Sequence, residues 1–177
     1  KAGALPLGDP RKPDPVVLGS VIGMSTVEHC NALIDDALAK GAGLLCGGKA
    51  DSTLMPATVL DHVTPAMRIY REETFGPVKC IVRVNGVEEA VACANDNEYG
   101  LSAAVFGGDI ARAFNVARRI DSGICHVNGP TVHDEAQMPF GGVKGSGIGR
   151  FGGKAGIAEF TELRWITVQT TPRHYPF

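Results

Sequence analysis

The sequence has no C-x-x-C pair, no apolar run of membrane-spanning length, no signal-peptide pattern and no block of like charge. Its five cysteines, at positions 30, 46, 80, 93 and 125, are odd in number and widely spaced. A disulfide framework or a cysteine-based zinc site is therefore not expected, and a reducing, cytoplasmic setting is. Without a long apolar stretch there is no membrane span to place. Lys and Arg number 17 against 19 Asp and Glu, for a net charge of −2. A basic face for nucleic acid or anionic lipid thus lacks support, and neither partner is expected. There is no internal repeat and no low-complexity segment. There is also no opening methionine, and residues 1–5 read as the tail of a helix. A piece of a longer protein is the expectation.

Two nucleotide signatures are missing as well. The richest glycine stretch, residues 139–150, carries five glycines in twelve residues. It lacks the G-x-x-x-x-G-K-[ST] order of a phosphate loop. Its Gly145-Ser146-Gly147-Ile148-Gly149-Arg150 resembles a dinucleotide fingerprint only in part, with Arg at the last position and no strand directly before it. Glycine tolerates positive φ and close backbone approach at an entropic cost. Pro139, Phe140, Lys144 and Arg150 interrupt the run, so a tightly turned loop pressed against other backbone is expected rather than a flexible linker.

What is present reads as one α/β domain. Hydrophobic residues make up 44% of the 177, enough for a substantial core. Pro6, Pro10, Pro13 and Pro15 mark an extended connector. Ser25 with Glu28 predicts a capping box opening a helix whose apolar face is Val27, Cys30, Ile34, Ala37 and Leu38, closed by Lys40-Gly41. Strands follow at 44–46 and 57–63. Strand 78–84, helix 87–94, strand 101–106, helix 110–120 and strand 123–127 then alternate with short connections. That alternation predicts parallel βαβ units in an open, twisted, mainly parallel sheet with flanking helices. In such sheets sites form beyond the carboxyl ends of strands, so the loops after Phe106 and Val127 are candidate walls. Residues 153–159 predict a short helix. Residues 160–169 alternate like a long strand, an edge that needs a partner.

Glu73 and Phe75 are two residues apart before a Gly-Pro turn, and in extended backbone both would share a face. There a carboxylate accepts hydrogen bonds from a vicinal diol while a phenyl ring lies on a flat heterocycle. The alternative is a solvated Glu72-Glu73 pair beside a core phenylalanine. His126, His133, Asp134 and Glu135 lack H-x-x-x-H or H-E-x-x-H spacing, so no metal is expected and a polar pocket mouth is. Cys125 and His126 are adjacent in a strand and point to opposite faces. No complete nucleophile–base set is found, and no catalytic residue is assigned.

Five stretches in order resemble the carboxyl-terminal part of the aldehyde dehydrogenase superfamily. They are Glu72-Glu73-Thr74-Phe75-Gly76-Pro77, residues 95–103, Val127-Asn128, the glycine loop, and Phe160-Thr161-Glu162. Residues 127–135 and 149–153 are similar to the aryl aldehyde subgroup, which includes vanillin, benzaldehyde and salicylaldehyde dehydrogenases. Many other members carry an acidic residue where Phe151 stands.

The resemblance implies oxidation of an aldehyde to the acid. A cysteine thiolate attacks, hydride passes to NAD or NADP, and a glutamate-activated water hydrolyses the thioester. It also implies that this cysteine, this glutamate and the nucleotide-binding domain lie upstream of residue 1. Residues 1–158 would be the carboxyl-terminal portion of the catalytic domain, and 159–177 an oligomerisation strand and tail. Glu73 and Phe75 would bind the nicotinamide ribose and ring. Phe140, His133 and Asp134, with loop 129–138, would border the aldehyde pocket. Arg150 and Glu162 would pair near a dimer or tetramer contact, the alternative being two solvated charges. A free-standing, non-catalytic assembly or binding module of the same fold is the other reading. The Glu73-x-Phe75 pair speaks against it.

Overall fold

The computed structural model describes residues 1–176. They form two compact units, Lys1–Gly86 and the residues from Val87 onward. Each is described by itself.

The first unit is built on α1 (Met24–Ala39). Its helical period puts Val27, Cys30, Leu33, Ile34 and Ala37 on one buried face. The expected face is thus formed, except that Leu33 belongs to it and Leu38 is partly exposed. The capping box is not formed. The helix opens after Gly23 and has no side-chain cap, because Ser25 already lies inside the first turn. After the helix, Gly41 has φ 96° and turns the chain into β1 (Gly43–Cys46). β1 pairs antiparallel with β2 (Thr58–Asp61) through a register shift at Leu44/Cys46, and β2 pairs parallel with β3 (Val78–Cys80). Met55, Leu60 and Val78 close the core over α1. The Asn31 side chain donates to the Ala50 carbonyl (2.7 Å) and accepts from the Ala50 N–H (3.0 Å). It fixes the segment between the strands onto the helix.

The second unit holds α2 (Val87–Asn95), β4 (Tyr99–Gly100), β5 (Ser102–Val105), α3 (Ile110–Ala117), β6 (Ile124–Val127), β7 (Val143–Lys144) and α4 (Gly153–Glu159). β5, α3 and β6 form the expected parallel βαβ unit, in register Ser102↔Ile124 to Val105↔Val127. Asp109 caps α3, accepting from the Arg112 N–H at 3.0 Å. Few side chains of this unit are buried: Val91 and Ala113 are, whereas Phe106, Ile110 and Phe114 are exposed.

The single open, mainly parallel sheet is not what the described residues form. They make three small sheets: β1-β2-β3, which is mixed, β4-β7, which is antiparallel, and parallel β5-β6. Alternation of strand and helix identifies local βαβ units but does not say which strands join across a domain. The terminal strand is also not formed. Residues 161–170 carry no ladder and are exposed throughout. A strand exists through its pairing, and among the described residues no strand pairs with this segment. The predicted tail runs to 177, and its last residue lies outside the described residues.

Candidate functional site

In the first unit, α1 anchors the loop between residues 72 and 77. His29 Nε2 lies 3.0 Å from the Glu73 carbonyl oxygen, and Cys30 Sγ–H donates to the Thr74 carbonyl at 3.2 Å. Gly76 is required by proximity: a Cβ there would stand 2.6 Å from Cys30 Sγ. The loop thereby turns Phe75 outward, 78% exposed, at φ 47°. A bulky residue in the left-handed region, with its ring in solvent, is an uncommon conformation that clusters at ligand clamps. Phe75 is therefore not in extended backbone, and the two-residue alternation does not govern where its ring lies relative to Glu73. Glu73 is exposed as well, so the chain presents a carboxylate and an aromatic face together on one pinned loop. Cys30 itself is buried, which pushes its thiol up and keeps it protonated.

In the second unit, the ends of β5 and β6 are joined by Asn128, at φ 57°. Its amide accepts from the Gly107 N–H (2.8 Å) and donates to the Gly107 carbonyl (2.9 Å). The two loops expected to wall a site are thus stitched to each other at the carboxyl ends of their strands. Beside β6 lies a cleft of about 370 Å³, bordered by Ile124, His126, His133, Asp134, Met138 and Phe140 among others. Its volume suits a small ligand and its walls mix apolar and polar groups.

The glycine stretch forms one wall of this cleft. Residues 140 and 151 exchange backbone hydrogen bonds of 2.8 and 2.7 Å. β7, inside the stretch, pairs with β4. A Cβ at Gly123 would collide with the Gly141 carbonyl, so the loop lies directly on the start of β6. Arg150 Nη1 donates to the carbonyls of Gly142 and Gly149, both at 2.8 Å, and its N–H donates to Glu159 Oε1 at 3.1 Å. Phe140 and Arg150 are therefore fixed by the loop they bracket. Within the single chain Arg150 does not pair with Glu162; its guanidinium serves the loop carbonyls, and Glu162 is exposed.

His133 and Asp134 border the cleft as the sequence suggested, and His133 Nε2 lies 3.5 Å from Glu135 Oε1. The sequence grouped His126 with this polar pocket mouth but did not assign it to the aldehyde pocket; it borders the cleft from β6, two residues after Ile124. The His126 and His133 rings meet edge-on at 5.5 Å and 89°. His126 Nε2 is shut away from solvent and has no hydrogen-bond partner. Cys125 also borders the cleft, and burial pushes its thiol up, away from the thiolate a nucleophile needs. Among the described residues no group of three His, Cys, Asp or Glu side chains is placed to hold a metal ion, and no helix is long and apolar enough to cross a membrane.

A family model described as the aldehyde dehydrogenase family matches residues 1–166. The chain is 56% identical over 176 residues to a vanillin dehydrogenase of Pseudomonas sp. strain HR199, covering 99% of this chain and 36% of that protein. A crystal structure of a salicylaldehyde dehydrogenase from Pseudomonas putida G7, complexed with salicylaldehyde, superposes with a TM-score of 0.91 at 48% identity. It covers 99% of this chain and 36% of that one. An aldehyde dehydrogenase C from Pseudomonas syringae, complexed with NAD+ and octanal, gives 0.82 at 40% identity over 91% of this chain and 34% of that one. The chain thus spans about a third of the length of the proteins it matches.

Proposed function

The chain belongs to the aldehyde dehydrogenase family, and on that premise we propose that it forms the nicotinamide clamp and one substrate wall of an NAD(P)-dependent aryl aldehyde dehydrogenase. The observation that carries this reading is the cleft beside β6, about 370 Å³ with Phe140 and Met138 on its wall. An aromatic ring fits that size and lining. The similarity to proteins named for vanillin and salicylaldehyde supports the choice of an aromatic substrate.

The loop at residues 73–75 fits the edge of a nicotinamide riboside. Glu73 would accept hydrogen bonds from the ribose hydroxyls, and the exposed Phe75 ring would lie on the flat ring. NAD, or NADP in its place, supplies the hydride acceptor when bound. What this chain contributes is position: the loop at residues 73–75 would hold the acceptor, and the cleft beside β6 one face of the aldehyde. We place the thiol nucleophile and its base outside these residues. Of the five cysteines, Cys125 alone borders the cleft, and burial keeps it protonated.

Residues 160–168 expose Phe160, Leu163, Trp165, Ile166 and Val168. So much apolar surface on an extended segment supports a role in a dimer or tetramer, with the segment added to a neighbouring subunit's sheet. A cytoplasmic homo-oligomer, with residues 1–158 completing a catalytic domain, is the assembly proposed.

The test is steady-state kinetics of the natural full-length protein with benzaldehyde-type and short aliphatic aldehydes. Aromatic aldehydes should give the higher kcat/KM, and Phe140→Ala should raise KM for them. A higher kcat/KM for acetaldehyde than for any aromatic aldehyde would refute the substrate class.

A further inference from the structure

The cleft contains one polar atom with nothing to bond. His126 Nε2 is shielded from water and has no hydrogen-bond partner among the described residues, although the side chain borders the cleft. A buried polar group left unpaired is costly, and native structures rarely retain one without a reason. The His133 ring packs edge-on against the His126 ring. His133 itself sits on an exposed loop, with Glu135 as its ion partner when protonated. His126 and His133 both border the cleft.

We propose that His126 is a specificity-determining residue that hydrogen-bonds a ring hydroxyl of the aromatic aldehyde through Nε2. This rests on the aryl aldehyde reading above and deepens it, by naming hydroxyl-bearing aryl aldehydes as the preferred class. Imidazole Nε2 accepts from a hydroxyl in one tautomer and donates to it in the other, so a neutral phenol suits it in either case. The carboxylates of Asp134 and Glu135 border the same cleft. Their charge disfavours a phenolate there and holds the substituent in its neutral form. A site with a polar atom that water cannot satisfy rejects the analogue lacking the hydroxyl, because the atom then stays unpaired. The neighbouring Ile124, Met138 and Phe140 offer apolar contact to the ring and cannot make this distinction.

The experiment compares 2- and 4-hydroxybenzaldehyde with benzaldehyde in the natural full-length protein. In the unaltered protein at least one hydroxylated aldehyde should show the higher kcat/KM. In His126→Phe that ratio should fall about tenfold, the size of one hydrogen bond to a buried group. His126→Gln keeps an amide able to bond a hydroxyl and should retain most of the ratio. If His126→Phe does not fold, His126→Met puts the same question with a flexible apolar chain. A ratio unchanged within twofold in the apolar variant, while benzaldehyde is still oxidised, overturns the role of His126 and leaves the aryl aldehyde reading standing. Failure of the unaltered protein to oxidise any aromatic aldehyde overturns that reading instead. Calorimetric binding of 4-hydroxybenzoate against benzoate then decides His126 without turnover. Equal affinity, or a preference that survives His126→Phe, overturns the inference. A preference lost in that variant supports it.

Discussion

Replacing Gly76 by alanine should damage the proposed nicotinamide clamp through a single collision. The added Cβ would stand 2.6 Å from Cys30 Sγ, with Thr74 O and Thr26 Cγ2 next at 3.7 and 3.8 Å. Ordinary non-bonded contact lies near 3.5–4.0 Å, so loop and helix must part by roughly 1 Å. Gly76 is not among the glycines with positive φ, so alanine adds no backbone strain. At a compatible position it would stabilise by about 0.4–1 kcal/mol through the unfolded chain. Overpacking typically costs about 1–3 kcal/mol, and the net should be a loss of roughly 1–2 kcal/mol. Cys30→Ala alone should also destabilise, since it empties a fully buried position and removes the 3.2 Å bond to the Thr74 carbonyl. Together the two changes should partly cancel, because the new methyl occupies the space the sulfur left. A coupling of about 1–2 kcal/mol in favour of the double variant follows for groups in direct contact. Urea unfolding of the four proteins, with slopes checked for constancy, measures it. The same four should show KM for NAD raised in Gly76→Ala and partly restored in the double variant. If the two single effects add within about 0.5 kcal/mol, the loop is not seated on Cys30 as described.

Three further outcomes are expected. Glu73→Gln should slow single-turnover hydride transfer more than it weakens aldehyde binding, since a loosened nicotinamide spends less time aligned; an unchanged rate removes the ribose role. Asp61 is held at about 2, below its ordinary value, chiefly by the side-chain hydrogen bonds from Arg83 and also by the His62 N–H. A depressed carboxylate contributes stability that is present above about pH 4 and lost as pH falls toward 2. Asp61→Asn should therefore flatten that part of the acid limb in urea midpoints at pH 5 to 2, and an identical acid dependence in both proteins would refute it. Glu162→Lys should weaken the proposed oligomer in sedimentation, because the exposed segment that carries Glu162 is the one proposed to join a neighbouring subunit; unchanged affinity would make Glu162 a solvated charge, worth at most about 1 kcal/mol.

Much of the local structure was legible because it depends on neighbours along the chain. The buried face of α1, the closing Lys40-Gly41 and the β5–α3–β6 unit follow from periodicity and turn chemistry, which act over a few residues. Where signals competed, the sequence alone misled. Ser25 and Glu28 have capping-box spacing, yet the helix is capped two residues earlier, at Gly23. The resemblance of five ordered stretches pointed to the aldehyde dehydrogenase family, and with it to Glu73, Phe75 and Phe140. Their geometry was decided only in three dimensions. Phe75 reaches solvent because α1 pins the loop through His29 and Cys30, residues 44 positions away in sequence. The glycine stretch gains its meaning from lying on Gly123 and pairing with β4, contacts that no periodicity encodes. His126 is an ordinary strand residue in sequence. Its unpartnered Nε2 is seen only once the cleft and the His133 ring are set beside it. Local propensity is a property of short stretches of chain, whereas satisfaction of a buried polar atom depends on everything that folding brings around it.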